Sequence, residues 1–356
     1  MDARTPEAEI ASQAHWRPDR CDRVALVLQG GGALGAYQAG VYQALHEAGL
    51  EPDWVIGASA GAINAGLIVG NGPEERLAKL AEFWGPSPAM EEFASNQPFE
   101  TTRRSAAVQW TLMAGRRGVF GPLLSGARWF RFATAAKTPS LFETEQLVSS
   151  LNRLINFERL NGGCERLTVT AVDVESGEDV AFDTRDGTIR ADHFRASAAL
   201  PVAFPVIEIE GRWLADSGLS ANLPLDPFFA EPPSVPTLCL AVDLLPLHGQ
   251  RPTTIGEAAT RMQDIVFAAQ SRRSIARWTE HYRSLPIEAQ PSIAFARIAY
   301  ADQSAEVAGK AMDFSPRSIR DRWVAGLASV RPLIERLHNG AIAIGAPGVQ
   351  AVNVDV

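Results

Sequence analysis

The sequence predicts an α/β fold with a mainly parallel central sheet sandwiched by helices. Two observations carry this: short apolar runs suited to buried strands alternate with segments of helical periodicity, and the joints between them are glycine-rich turns. Arg23-Val-Ala-Leu-Val-Leu28 is the first such run, and Gly30-Gly-Gly-Ala-Leu-Gly35 breaks it. Residues 36–49 then carry Val41, Ala44, Leu45 and Ala48 at helical spacing before a glycine stop. Asp53-Trp-Val-Ile56 is a second strand that runs straight into Gly57-Ala-Ser-Ala-Gly61, and residues 62–69 form an almost wholly apolar helix behind it.

Residues 86–140 break this order with several Pro and Gly and many aromatics, the composition of an insertion or cap. Strand signals then resume. Thr168-Val-Thr-Ala-Val-Asp-Val174 and Asp179-Val-Ala-Phe182 flank Ser176-Gly177 as a hairpin, and residues 206–214 form a strand pair or strand end before Asp216. Leu238-Cys-Leu-Ala-Val-Asp243 reads as a later buried strand. Ile255, Ala259, Met262 and Val266 share one helical face, and residues 319–337 form a closing helix. The chain divides into a tail over 1–22, a catalytic unit over 23–230 with a lid insertion at 86–140, and an extension over 231–356 packed on the same unit.

At 356 residues and 46% hydrophobic content the chain can bury a substantial core. No long apolar run or apolar signal core is present, so a cytoplasmic protein is expected. Cys21, Cys164 and Cys239 are too few and too scattered for a disulfide framework or a zinc site, and read as buried or partly buried thiols. The net charge of −8 argues against a nucleic-acid partner.

Chemistry concentrates in two turns. Gly57-x-Ser59-x-Gly61 lies between strand and helix, where small neighbours permit the sharp bend that exposes a nucleophilic serine, and the helix start behind it favours a developing anion. Gly30, Gly31 and Gly32 offer consecutive backbone N–H groups at the end of the first strand, the donors an oxyanion needs. Adjacent parallel strands bring both loops to one rim of the sheet. The same glycines also fit the fingerprint Gly30-x-Gly32-x-x-Gly35 of an NAD(P)-dependent oxidoreductase, but the second strand ends in Gly57-Ala-Ser59 where that fold needs an acidic residue. For a catalytic base, His248, His281 and His338 have no convincing loop context, and His15, His46 and His193 do no better. Asp216, in Leu214-Ala-Asp-Ser-Gly218, has small neighbours that allow its carboxylate to approach another loop.

Together, the glycine loop with Gly35, the serine turn from Gly57 to Gly61 and the aspartate turn with Gly218 resemble the patatin-like phospholipase family. Ala196-Ser-Ala-Ala-Leu-Pro-Val-Ala-Phe-Pro205, Asn222 and Pro224 resemble the segments flanking its aspartate. The resemblance spans about residues 24–227. It implies a three-layer fold and a serine acyl-hydrolase acting on carboxylic esters of lipids or phospholipids through a Ser59–Asp216 dyad, with a glycine-loop oxyanion hole and no metal or cofactor. Two residues depart from the family pattern: Leu34 stands where many members carry Arg or Lys, and Ser217 replaces the usual glycine. The first removes a charge from the loop; the second raises the question of whether the aspartate turn keeps its angles.

Between residues 101 and 142 there is no acidic residue, while Arg103, Arg104, Arg116, Arg117, Arg128, Arg131 and Lys137 alternate with Trp110, Phe120, Trp129, Phe130 and Phe132. This mixture suits a lid in peripheral contact with anionic lipid through Arg116, Arg117, Arg128, Trp129 and Arg131. Core aromatics with solvated arginines would give the same pattern. Arg272, Arg273 and Arg277 read as the solvated face of a helix. A non-catalytic lipid-binding protein is the other class compatible with these features.

Overall fold

The computed structural model describes residues 16–85, 99–122 and 139–352. Its main sheet begins with β1 (Arg23–Leu28), and α1 (Gly35–Glu47) returns the chain to β2 (Trp54–Ala58), which pairs with β1 in parallel. α2 (Ala60–Val69) and α3 (Pro73–Trp84) follow. The 86–140 region contains a further helix, α4 (Glu100–Ala114), and a short strand β3 (Gly121–Pro122) that pairs with β4 (Phe142–Glu143). Past α5 (Glu145–Leu154) and α6 (Phe157–Asn161) come β5 (Arg166–Asp173) and β6 (Asp179–Asp183), the expected hairpin. α7 (Ala191–Ser197) leads to a second hairpin, β7 (Ile207–Ile209) and β8 (Arg212–Asp216).

The remaining elements are α8 (Gly218–Ala221), α9 (Asp226–Ala230), β9 (Thr237–Asp243), α10 (Ile255–Arg283), β10 (Ser292–Ala299), α11 (Pro316–His338) and β11 (Gly348–Val352). The sheet order is β11-β10-β9-β1-β2-β5-β8-β7, with β6 also on β5. β9, β10 and β11 continue the parallel array on the far side of β1, so residues beyond 231 are part of the same sheet.

Alternation along β1 explains the three layers. Val24, Leu26 and Leu28 face a core shared with α1, α2 and α11, whereas Ala25 and Val27 face Phe228, Phe229 and Tyr282 on the other side. α1 and α11 meet backbone to backbone: a Cβ on Gly40 would come within 1.9 Å of the Trp323 carbonyl oxygen, and one on Gly326 within 2.0 Å of that of Tyr37. Small residues at this crossing seat a C-terminal helix directly on an N-terminal one.

The register on β5 brings the two chemical turns together. β2 pairs with residues 166–170, with Ala58 opposite Thr170. β6 pairs with 168–172 and so occupies the other edge. β8 pairs antiparallel with 171–173, with Asp216 opposite Ala171, and must therefore share β2's edge. Two strands running in opposite directions thus end against each other on neighbouring residues of β5, one delivering Ser59 and the other Asp216.

Several expectations are corrected. The face of α10 bearing Ile255, Met262 and Val266 is turned to solvent, and Asp264, Ala268, Ser271 and Tyr282 are buried instead. Cys164 is exposed. Arg103 and Arg104 do not form a basic surface: both are buried and ion-paired, with Glu100 and, for Arg104, also Glu306 and Asp321. Arg103 is matched by a neighbour on its own helix, Arg104 also by charges distant in the sequence. Among the described residues, no helix is long and apolar enough to cross a membrane.

Candidate active site

Ser59 sits at the joint of β2 and α2 with φ 54° and ψ −122°, a left-handed conformation that a non-glycine residue adopts only where the surroundings enforce it. The enforcement is steric and polar. A Cβ on Gly61 would lie 2.3 Å from the Leu28 carbonyl oxygen, so α2 starts hard against the end of β1. The Ser59 amide donates to Ser197 Oγ at 2.9 Å, which ties the turn to α7. The side chain is thereby presented to a cavity of about 130 Å³.

Asp216 is buried at the end of β8. Its Oδ1 accepts the Gly218 amide at 2.8 Å, and it lines the same cavity as Ser59. Burial pushes its pKa up to about 6, against the opposing pull of the neighbouring Ser59 hydroxyl and the Gly218 amide. Ser217 adopts φ −61° and ψ −13°, ordinary right-handed helical angles, so the turn does not require glycine here. Its buried hydroxyl lies 2.9 Å from Thr170 Oγ1, which also donates to the Gly57 carbonyl at 3.3 Å. Thr170 thus bridges the serine and aspartate turns from beneath.

The glycine loop is held by side-chain amides. Gly30 donates its N–H to the Asn222 carbonyl at 3.0 Å, so that group is already used and is not an available oxyanion donor, contrary to expectation. Asn222 Nδ2 donates to the Gly30 carbonyl at 3.1 Å. Because C=O and N–H point oppositely in a trans peptide, this bond aims the Gly31 N–H the other way. The Gly31 and Gly32 N–H groups find no protein acceptor among the described residues. Gly32 has φ +56°, and a Cβ there would strike the Ala311 carbonyl oxygen at 2.5 Å. Gly30 lies against the serine turn, where its Cβ would meet Ser59 Cβ at 3.0 Å. Ala60, whose N–H opens α2, lines the cavity as well, a donor position the sequence reading passed over.

The rest of the cavity wall comes from elements that carry no motif. Phe83, Trp84, Phe120, Phe204 and Phe314 add aromatic faces to a largely apolar wall. Leu34 is fully buried in the core, so the glycine loop brings no charge; Lys310 and Arg116 line the cavity instead. Lys310 is bound to Asp264 at 2.8 Å and to Gln303 at 2.7 Å. Arg116, expected at a lipid surface, is buried in this wall because the turn after α4 folds inward. Arg117 is exposed, while Arg128, Trp129 and Arg131 and most of the expected lid lie outside the described residues. Among the described residues no histidine lines the cavity: His46 pairs with Glu51, His193 accepts the Arg190 amide, and His338 stacks on Trp16.

Comparison with known proteins gives a consistent family. A family model described as patatin-like phospholipase matches residues 26–229. The chain is similar to a triacylglycerol lipase of Schizosaccharomyces pombe, 46% identical over 59 residues that cover 17% of this chain and 12% of the lipase. It is also similar to an uncharacterised NTE family protein of Mycobacterium tuberculosis, 27% identical over 205 residues covering 58% of this chain and 45% of that protein. The chain thus spans less than half the length of these relatives. Solved structures similar to it include VipD from Legionella pneumophila, with a TM-score of 0.44 and 17% identity over 88% of this chain and 67% of that one. Another is human GIVD cytosolic phospholipase A2, with a TM-score of 0.40 and 12% identity over 93% and 62%. With a family model covering more than half of its length, this chain belongs to the patatin-like phospholipase family.

Proposed function

We propose that the protein hydrolyses carboxylic esters of lipids, with Ser59 as nucleophile and Asp216 as the group that moves its proton. The observation that carries this reading is that Ser59, held at a strained strand-to-helix turn, and the buried Asp216 carboxylate line one largely apolar cavity. Family membership and the similarity to a yeast triacylglycerol lipase support it.

In the first half-reaction Ser59 Oγ bonds to the ester carbonyl carbon while its proton passes to Asp216. The Gly31 and Gly32 amides, joined by the Ala60 amide at the start of α2, stabilise the negative carbonyl oxygen. The carbon–oxygen bond to the alcohol then breaks, and the departing oxygen takes the proton from Asp216. In the second half a water gives a proton to Asp216 as its oxygen attacks the acyl carbon, and Ser59 Oγ leaves with that proton. A carboxyl of pKa about 6 is ionised at neutral pH yet basic enough to share the serine proton. Contact with a lipid surface would be peripheral. The test is hydrolysis of medium-chain p-nitrophenyl esters: Ser59→Ala and Asp216→Asn should each remove activity, and turnover at the parent rate in either variant would overturn the reading.

A further inference from the structure

Among the ionisable side chains lining the cavity, Arg116 differs in having no charged partner among the described residues. Asp216 accepts the Gly218 amide, and Lys310 is matched by Asp264. Arg116 is 8% exposed, and the polar contact it makes is from Nη2 to the Phe83 carbonyl at 2.5 Å. Its guanidinium carbon lies 4.7, 5.2 and 4.5 Å from the ring centroids of Phe83, Trp84 and Phe314. Among the described residues no carboxylate lies within ion-pairing distance of it. The rings attract the cation, but of its five N–H donors one is satisfied by the Phe83 carbonyl.

This placement is built into the chain. Gly115 ends α4 at φ +73°, and Arg116 and Phe120 exchange backbone hydrogen bonds of 2.8 and 2.9 Å, which closes a tight turn facing the cavity. Burying a cation without its counter-ion is unfavourable, and burial drives this guanidinium down to about 9. A guanidinium held in the cavity wall in this way favours an anionic partner, and its planar fork of donors matches the paired oxygens of phosphate or carboxylate.

We infer that Arg116 is a specificity-determining residue that receives an anionic oxygen group, phosphate or carboxylate, of an amphiphile whose apolar chain lies among the cavity aromatics. The inference deepens the hydrolase reading by making the preferred ester an anionic lipid, and a binding experiment separates it from catalysis. In Ser59→Ala protein, calorimetry with octyl phosphate, octanoate and 1-octanol compares a phosphate, a carboxylate and a neutral head on the same chain. Octyl phosphate or octanoate should bind about tenfold or more tighter than octanol, as expected of a charge-assisted pair in a dry site. Whichever anion binds better names the source.

Adding Arg116→Gln should collapse that preference. Arg116→Met, whose apolar side chain suits the aromatic surround, should collapse it too and keeps the test available where the glutamine variant does not fold. Equal binding of all three probes before the second substitution, or an anion preference that persists in Arg116→Met, would overturn the inference. Since no turnover is measured, loss of ester hydrolysis in Ser59→Ala bears on the hydrolase reading alone.

Discussion

The two turns that meet on β5 are stabilised and stressed in different ways. The serine turn carries its strain in the backbone: Ser59 sits at φ 54°, clamped by the contact of Gly61 with the end of β1 and by the hydrogen bond its N–H donates to Ser197 Oγ. The aspartate turn is conformationally relaxed, with Ser217 at helical angles, and carries its cost as a buried charge. Strain in one partner fixes where the hydroxyl points; desolvation in the other makes its carboxylate a better base. The contrast teaches that the two turns should respond differently to substitution.

The largest effect should come from Ser59→Ala, which removes the proposed nucleophile and should lower kcat by about 10⁵–10⁶ in an ester assay. Asp216→Asn should lower it by about 10²–10⁴ and at the same time stabilise the protein. The folded state raises this carboxyl from 3.8 to about 6 and so binds its proton more tightly than the unfolded chain does. Its favourable contribution is full below pH 3.8 and is lost as pH rises through about 6. Denaturant titration should therefore find Asp216→Asn more stable than the parent by up to about 3 kcal/mol at pH 8, with the difference shrinking toward pH 4.

Gly61→Ala tests the other turn. Its Cβ meets backbone atoms of Leu28 and Gln29, which cannot rotate away, so a loss of about 1–3 kcal/mol is expected together with reduced activity. The smallest effect belongs to Ser217→Gly. It should cost about 1–2 kcal/mol, from added backbone freedom and the lost contact with Thr170, and leave turnover within a few-fold. A large activity loss there would mean that the aspartate turn depends on Ser217 for more than packing.

The same contrast marks what the sequence makes legible. The strand, sharp turn and helix over residues 54–69 can be read locally, because apolar periodicity and flanking glycines lie within a few residues of Ser59. Asp216 is harder, since its meeting with Ser59 depends on β2 and β8 sharing one edge of β5, and register between distant strands leaves no local trace. The cavity wall is harder still. Arg116, Lys310 and Phe314 come from turns whose spacing resembles nothing, and Arg104 looks like surface charge until Glu306 and Asp321 are brought to it by the fold. The exposed face of α10 shows that helical periodicity identifies a helix without saying which side is buried.

The most direct test of the claim that Asp216 activates Ser59 is the pH dependence of labelling by a fluorophosphonate, which reports serine reactivity without substrate release. The parent should be labelled at Ser59 with a rate that rises through a single ionisation near pH 6, and Asp216→Asn should lose both that step and most of the rate. Labelling of Asp216→Asn at the parent rate, or a parent rate that does not change between pH 5 and pH 8, would contradict the account.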